Sequence, residues 1–170
     1  MKWFGALLLI ATTTYIGFDM SNRLSERTKQ IRQFILSLQM LEAEMEYSQL
    51  TLQQIFQTIG KKTSYPINSF YSHLAEQFDF VVIDFLDEWD RELDKLITVS
   101  ALKKNELEIM KQFGRNLGQH TFIQQQKHIT LAIHHLQQEL DEANDQRVKY
   151  EKMMKSLGIL IGLFIVLLLF

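Results

Sequence analysis

The chain has 170 residues, with one Pro, seven Gly, no Cys and a formal net charge of −2. That length suits one domain of about 100–150 residues with short extensions, and the scarcity of breakers favours helix. The lack of cysteine excludes disulfides, thiolate metal sites, a thiol nucleophile and a lipidated cysteine anchor, and no basic stripe interleaved with aromatics points to nucleic acid.

From Trp3 to Phe18 no residue is charged, and Ala6-Leu7-Leu8-Leu9-Ile10 is strongly apolar. About 16 residues at 1.5 Å rise give roughly 24 Å, short of a ~30 Å hydrocarbon core. Met1 and the belt-type aromatics Trp3, Phe4, Tyr15 and Phe18 extend that reach. Residues 1–19 therefore read as an N-terminal transmembrane segment. A cleaved leader is the alternative, although Lys2 is its only basic residue and no A-x-A site follows.

Residues 20–154 read as a helical-bundle domain. Leu24, Ile31, Phe34, Leu38, Leu41 and Met45 recur at spacings of three, four and seven, which predicts a helix from about Asp19–Ser21 to Tyr47. After a turn at 48–51, Leu52 to Ile59 forms a short second helix closed by Gly60. Tyr65-Pro66 opens a third, with Ile67, Phe70, Tyr71, Leu74 and Phe78 on its apolar face. A fourth uses Phe78, Val82, Phe85, Trp89, Leu93 and Leu96, and a fifth uses Leu102, Ile109, Met110, Phe113 and Leu117 and ends at Gly118. In the sixth, Phe122, Ile129, Ile133, Leu136, Leu140, Ala143, Tyr150, Met154 and Leu157 follow a heptad-like spacing with no breaker, leading into a second apolar run. That run, Leu157 to Phe170, carries no charge and spans roughly 21 Å, lengthened if Lys155 snorkels. Residues 155–170 read as a C-terminal transmembrane segment. Short connections imply antiparallel neighbours. The expected fold is all-α: an antiparallel helical bundle of about six helices with a transmembrane segment at each end.

Flanking charge sets the orientation. Arg23, Arg27, Lys29 and Arg32 follow the first apolar segment, and Arg147, Lys149, Lys152 and Lys155 precede the second. By the positive-inside rule the central domain is cytoplasmic and both termini lie on the far side. The same eight residues form a membrane-proximal basic cluster facing anionic lipid headgroups. At the opposite, distal end, Glu42, Glu44 and Tyr47 at the end of helix one should meet Gly118, Gln119 and His120 before helix six, making a candidate partner-binding tip.

Chemistry-bearing patterns are weak. His73 and His120 stand alone, and His128 and His135 on helix six are two turns apart, too far to chelate one metal. Asp84, Asp87, Glu88, Asp90, Glu92 and Asp94 alternate with apolar residues and lack the glycine of a calcium loop, so they read as a solvated helix face. Gly60-Lys61-Lys62-Thr63 has Ile55 where a phosphate loop needs its first glycine. Met40, Met45, Met110, Met153 and Met154 read as gap-filling core. No catalytic residue, metal ligand, cofactor or small-molecule substrate is indicated.

Several segments together carry a resemblance. Leu41-Glu42-Ala43-Glu44-Met45-x-Tyr47, Ala101-Leu102-Lys103-Lys104, Phe113-Gly114-x-x-Leu117-Gly118-Gln119-His120 and Tyr150-Glu151-Lys152-Met153-Met154-Lys155-Ser156-Leu157-Gly158 are similar to the stage III sporulation protein AB family of endospore-forming bacteria. So are Ala11-Thr12-Thr13 before Gly17-Phe18, and Arg27-x-x-Gln30-Ile31-Arg32. Thr51 and Thr121 depart from the family pattern, which often has Pro and Asp there. The resemblance implies a subunit of the mother-cell machinery that, with a forespore partner, forms a channel across the double membrane around the forespore. It places the protein in the mother-cell membrane facing the forespore. It also implies similarity to inner-membrane platform proteins of type II secretion and type IV pilus systems, which link an ATPase to a membrane complex. The expected partners are membrane lipids, other stage III sporulation channel subunits and, by that analogy, a cytosolic ATPase. A platform subunit of another secretion or pilus-like system, and a secreted or surface helical domain with a cleaved leader, are the alternatives.

Overall fold

The computed structural model describes residues 2–48, 50–77, 82–117 and 122–169. Six α-helices follow in chain order: α1 (Lys2–Tyr47), α2 (Leu52–Lys62), α3 (Ile67–Glu76), α4 (Val82–Val99), α5 (Lys104–Asn116) and α6 (Phe122–Leu169). There is no strand among the described residues. The all-α expectation and the helix number both hold. The first apolar segment and the helix after it are one continuous α1, because no Pro or cap interrupts them.

The chain divides into two compact units, one made of Met1–Thr28 and Glu142–Phe170, the other of Lys29–Asp141. In the first, Ser21, Arg27, Thr28 and Ala143 are buried, and the Arg27 guanidinium donates to Gln146 Oε1 at 3.2 Å. Transmembrane segments were expected at both ends, yet among the described residues no helix is long and apolar enough to cross a membrane. Most side chains of 1–17 and 157–170, the apolar runs on which that expectation rests, lie outside the described ones.

The second unit holds an aromatic core. Trp89 is fully buried, with the rings of Phe70, Phe113, Phe56 and Phe85 at centroid distances of 5.1, 5.9, 6.0 and 6.0 Å. Its indole N–H donates to the Met110 carbonyl at 2.9 Å, which satisfies the one polar atom of a buried Trp. Gly114, a turn further along α5, lies under the indole; a Cβ there would stand 2.3 Å from Nε1 and 2.4 Å from Cδ1. The Tyr71 hydroxyl is buried 2.7 Å from Ser37 Oγ. Ser37 spends its own proton on the Phe34 carbonyl at 2.7 Å, so Tyr71 is the donor. Burial pushes the Tyr71 hydroxyl well above the ordinary phenol range despite the Ser37 bond.

Local chemistry sets the helix ends. Thr51 caps α2: its Oγ1 accepts the Gln54 N–H at 3.4 Å, and the Gln54 side chain accepts the Thr51 N–H at 3.0 Å, a reciprocal capping box. Gly60 was expected to end α2, but the helix runs on to Lys62 and Thr63 closes it. Gly60 is buried where α3 passes close, and a Cβ there would come within 2.7 Å of Ser72 Oγ. Its role is approach, not termination. Leu102 precedes α5 instead of belonging to it, and Phe78 lies outside the described residues.

The antiparallel expectation holds for two neighbouring pairs and fails for a third. Gln53 at the start of α2 reaches the carbonyl of Ala75 near the end of α3, and Asp94 and Asp90 of α4 meet Lys111 and Arg115 of α5 in reverse order. Between α3 and α4, however, Phe70 lies against Trp89 and His73 against Glu92, so the contacts ascend together. The α3 helix is only ten residues, about 15 Å. A connection of a few residues can return along that length, so a short linker does not force reversal.

Candidate functional site

The expected tip is described on one side only. Leu41 buries fully and fixes the azimuth of the last turns of α1. Glu42 and Glu44, two residues apart, point to opposite sides of the helix at 100° per residue, while Glu44 and Tyr47, three apart, share a face. Both glutamates are half-buried, and Tyr47 is 83% exposed. Ser48 ends the helix, its N–H bonding the Glu44 carbonyl at 3.0 Å and its hydroxyl bonding the same oxygen. Gly118, Gln119 and His120 lie outside the described residues. Of the described residues expected there, Glu44 and Tyr47 share a face and Glu42 lies on another.

Electrostatics at this end run against helix stability. Glu44 and Glu46 sit in the last turn of α1, which carries no basic residue. A carboxylate at the negative end of the helix dipole costs about 0.3–1 kcal/mol, the reverse of the usual placement. By contrast, α2 ends in Lys61 and Lys62, as the dipole favours.

The basic residues expected near the membrane divide in character. Arg23 is exposed and pairs with Asp19 at 3.4 Å, and Lys29 and Arg32 are exposed. Arg27 is 3% exposed and holds Gln146, which in turn donates to Glu142 at 2.8 Å. It is a tie between α1 and α6, not a headgroup ligand. Arg147 is half-buried, and the Lys149 ammonium lies 5.3 Å from the Tyr150 ring centroid. The side chains of Lys152 and Lys155 lie outside the described ones.

Two groups read as unremarkable in the sequence turn out to have partners. Glu92, expected on a solvated face, is 4% exposed, and His73, expected to stand alone, is its partner at 3.2 Å. Lys95 closes the cluster at 2.5 Å. Burial alone would raise the Glu92 carboxyl, but the hydrogen bonds and charges of Lys95 and His73 outweigh it and hold the group below the ordinary glutamate range. The other is Gln30. Its side-chain carbonyl accepts the Ala101 N–H at 2.8 Å, which ties the α4–α5 turn to α1. The only sequence signal for Gln30 is its place within the family-like segment around Arg27. Nothing in the sequence pairs His73 with Glu92.

Comparison with known proteins gives one answer throughout. A family model described as stage III sporulation protein AB matches residues 2–170. A curated relative of the same description from Bacillus subtilis (strain 168) is 41% identical over 169 residues, which is 99% of each chain. A solved structure of a stage III sporulation protein AB aligns with a TM-score of 0.67 and 38% identity, covering 73% of this chain and 98% of that one.

Proposed function

The chain belongs to the stage III sporulation protein AB family, and on that premise we propose that it is a non-enzymatic scaffold subunit of the channel between mother cell and forespore. Membership gives it a role in sporulation; the channel, the anchoring and the partners are our reading. Residues 1–19 and 155–170 anchor the chain in the mother-cell membrane facing the forespore, and the helical bundle stands in the cytoplasm. The uncharged runs 3–18 and 157–170, each flanked on the bundle side by basic residues, support this arrangement. Arg23, Lys29, Arg32, Arg147, Lys149, Lys152 and Lys155 face the headgroups, without Arg27.

The end of α1 docks another stage III channel subunit or a cytosolic ATPase. The observation that carries this is the pair Glu44 and Tyr47: a carboxylate set against the helix dipole beside an aromatic ring that is almost wholly in solvent. A partner with a basic surface would relieve the charge and cover the ring. Glu44→Lys separates docking from folding, because it improves the dipole interaction by about 0.3–1 kcal/mol. The expected result is a protein as abundant and at least as stable as the parent, in cells whose spore yield collapses. Normal spore yield in that strain would count against docking at this end.

A further inference from the structure

Leu36 and Tyr47 of α1 are 47% and 83% exposed, although both are large and hydrophobic. Single exposed hydrophobes are ordinary, but these two belong to a pattern. Leu36, Met40, Ala43 and Tyr47 follow one another at four, three and four residues, and at 100° per residue they fall within an arc of about 60°. That arc lies opposite the buried Ile31, Phe34, Leu38 and Leu41. Ala43 is exposed, and Met40, expected as gap-filling core, is half-buried on this outer face. The helix therefore carries two apolar stripes: an inner one that meets the bundle, and an outer one about 16 Å long that faces solvent.

Charge gathers at one end of the outer stripe. Glu44 and Glu46 flank it near Tyr47, one on each side, in the positions that border the seam of a coiled coil. Neither makes an ion pair with another described residue. From Gln33 to Tyr47 there is no basic residue, and the one further glutamate, Glu42, lies on another face. Arg32 is exposed at the other end of the stripe. It stands twelve residues before Glu44, about 18 Å of helix, which is more than two Debye lengths at physiological salt.

Spacing and charge together select the occupant. An apolar stripe at alternating three and four spacing fits the matching stripe of another helix, and the small Ala43 lets two helix axes come close. The two carboxylates, at the negative end of the helix dipole, favour lysine or arginine beside that second stripe. A second copy of this chain fits poorly. Held in the same membrane it would run parallel and bring the acidic ends together. We propose that Leu36, Met40, Ala43 and Tyr47 form a coiled-coil seam for one helix of a partner protein, whose own apolar stripe is flanked by Lys or Arg facing Glu44 and Glu46. The proposal rests on the docking reading above, and adds the partner's chemistry and the length of α1 that it covers.

The test replaces Leu36, Met40 or Tyr47 with the photocrosslinker p-benzoylphenylalanine in the full chain in sporulating cells. Gln57, exposed on α2, is the comparison position. Peptide mass spectrometry after irradiation locates each adduct. Positions 36, 40 and 47 should join one segment of one protein, with apolar residues at three and four spacing and Lys or Arg beside them; position 57 should not join it. Glu44→Lys and Glu46→Lys should each lower the adduct yield at position 40 about tenfold, as an attraction becomes a repulsion, with the chain equally abundant. Adducts to lipid, to a second copy of the chain or to a segment without that helical pattern overturn the proposal, as do yields that neither glutamate changes. Adducts at 47 with none at 36 and 40 also overturn it, and leave docking at the end of α1 standing. Normal spore yield in the Glu44→Lys strain overturns the docking reading and this proposal with it; collapsed spore yield without adducts at 36 and 40 overturns this proposal alone.

Discussion

Gly114→Ala should destabilise the bundle, although alanine is the better helix former. In a helix interior the exchange ordinarily gains about 1 kcal/mol from propensity. Here the new Cβ would stand 2.3 Å from Trp89 Nε1, 2.4 Å from Cδ1 and 2.7 Å from Cε2. The indole has no room to retreat, because it is fully buried with four aromatic rings packed around it. Overpacking of this kind costs about 1–3 kcal/mol. If the indole tilts, its bond to the Met110 carbonyl weakens and adds about 1–3 kcal/mol for a buried donor left unmet. After the propensity gain, the net loss is on the order of 1–5 kcal/mol. At about 2–4 °C per kcal/mol for a chain of this size, thermal melting should drop by roughly 2–20 °C. Near-ultraviolet circular dichroism is the assay, since it reports the packed indole directly. A melting temperature equal to or above that of the parent would refute the close-approach account of Gly114.

Glu92→Gln should cost about 1–3 kcal/mol at neutral pH by weakening the links of this buried carboxylate to the more exposed His73 and Lys95. The folded-state pKa of Glu92 is depressed, so its contribution is present above the ordinary glutamate range near pH 4.3 and fades as pH falls through the lower folded value. Denaturant titrations from pH 7 downward should therefore show the parent losing part of its advantage over the variant only below about pH 4.3. A difference constant down to the acid limit would contradict the assignment. Gln30→Ala removes the acceptor of the Ala101 N–H and should cost about 0.5–1.5 kcal/mol. Hydrogen exchange at Ala101 should accelerate by more than at amides of α2; unchanged protection would show that the turn does not depend on Gln30.

Periodicity made the helices legible, because apolar residues at three and four spacing have no other way to share a face. Phe34, Leu38 and Leu41 of α1, and Ile129 and Leu136 of α6, are all buried as their spacing requires. What the pattern could not show are features that depend on a second helix. Gly60 carries the same local signal whether it ends a helix or lets another pass, and only Ser72 beside it decides between them. Gly114 reads as one member of a family-like segment until Trp89, on another helix, gives the physical reason for it. Glu92 follows the polar rhythm of α4, but the face it occupies is covered by α3 and His73. Arg27 counts as a cation in any charge bias, and burial against Gln146 gives it a different task. The end of α1 was expected as a tip from the direction of the chain alone; that direction says nothing of azimuth, and Glu42 and Glu44 point to opposite sides of the helix while Glu44 shares a face with Tyr47.

The central claim is a helical scaffold held in the membrane by its two ends with the bundle in the cytoplasm. It is tested most directly by labelling Gln57→Cys, the sole thiol of the full chain, with an impermeant maleimide in sporulating cells. Residue 57 is exposed on α2, so the thiol itself is open to reagent wherever the bundle lies. The account predicts no labelling in intact cells and full labelling after permeabilisation, with the protein in the membrane fraction. Labelling in intact cells, or recovery of the protein in the soluble fraction, would contradict it.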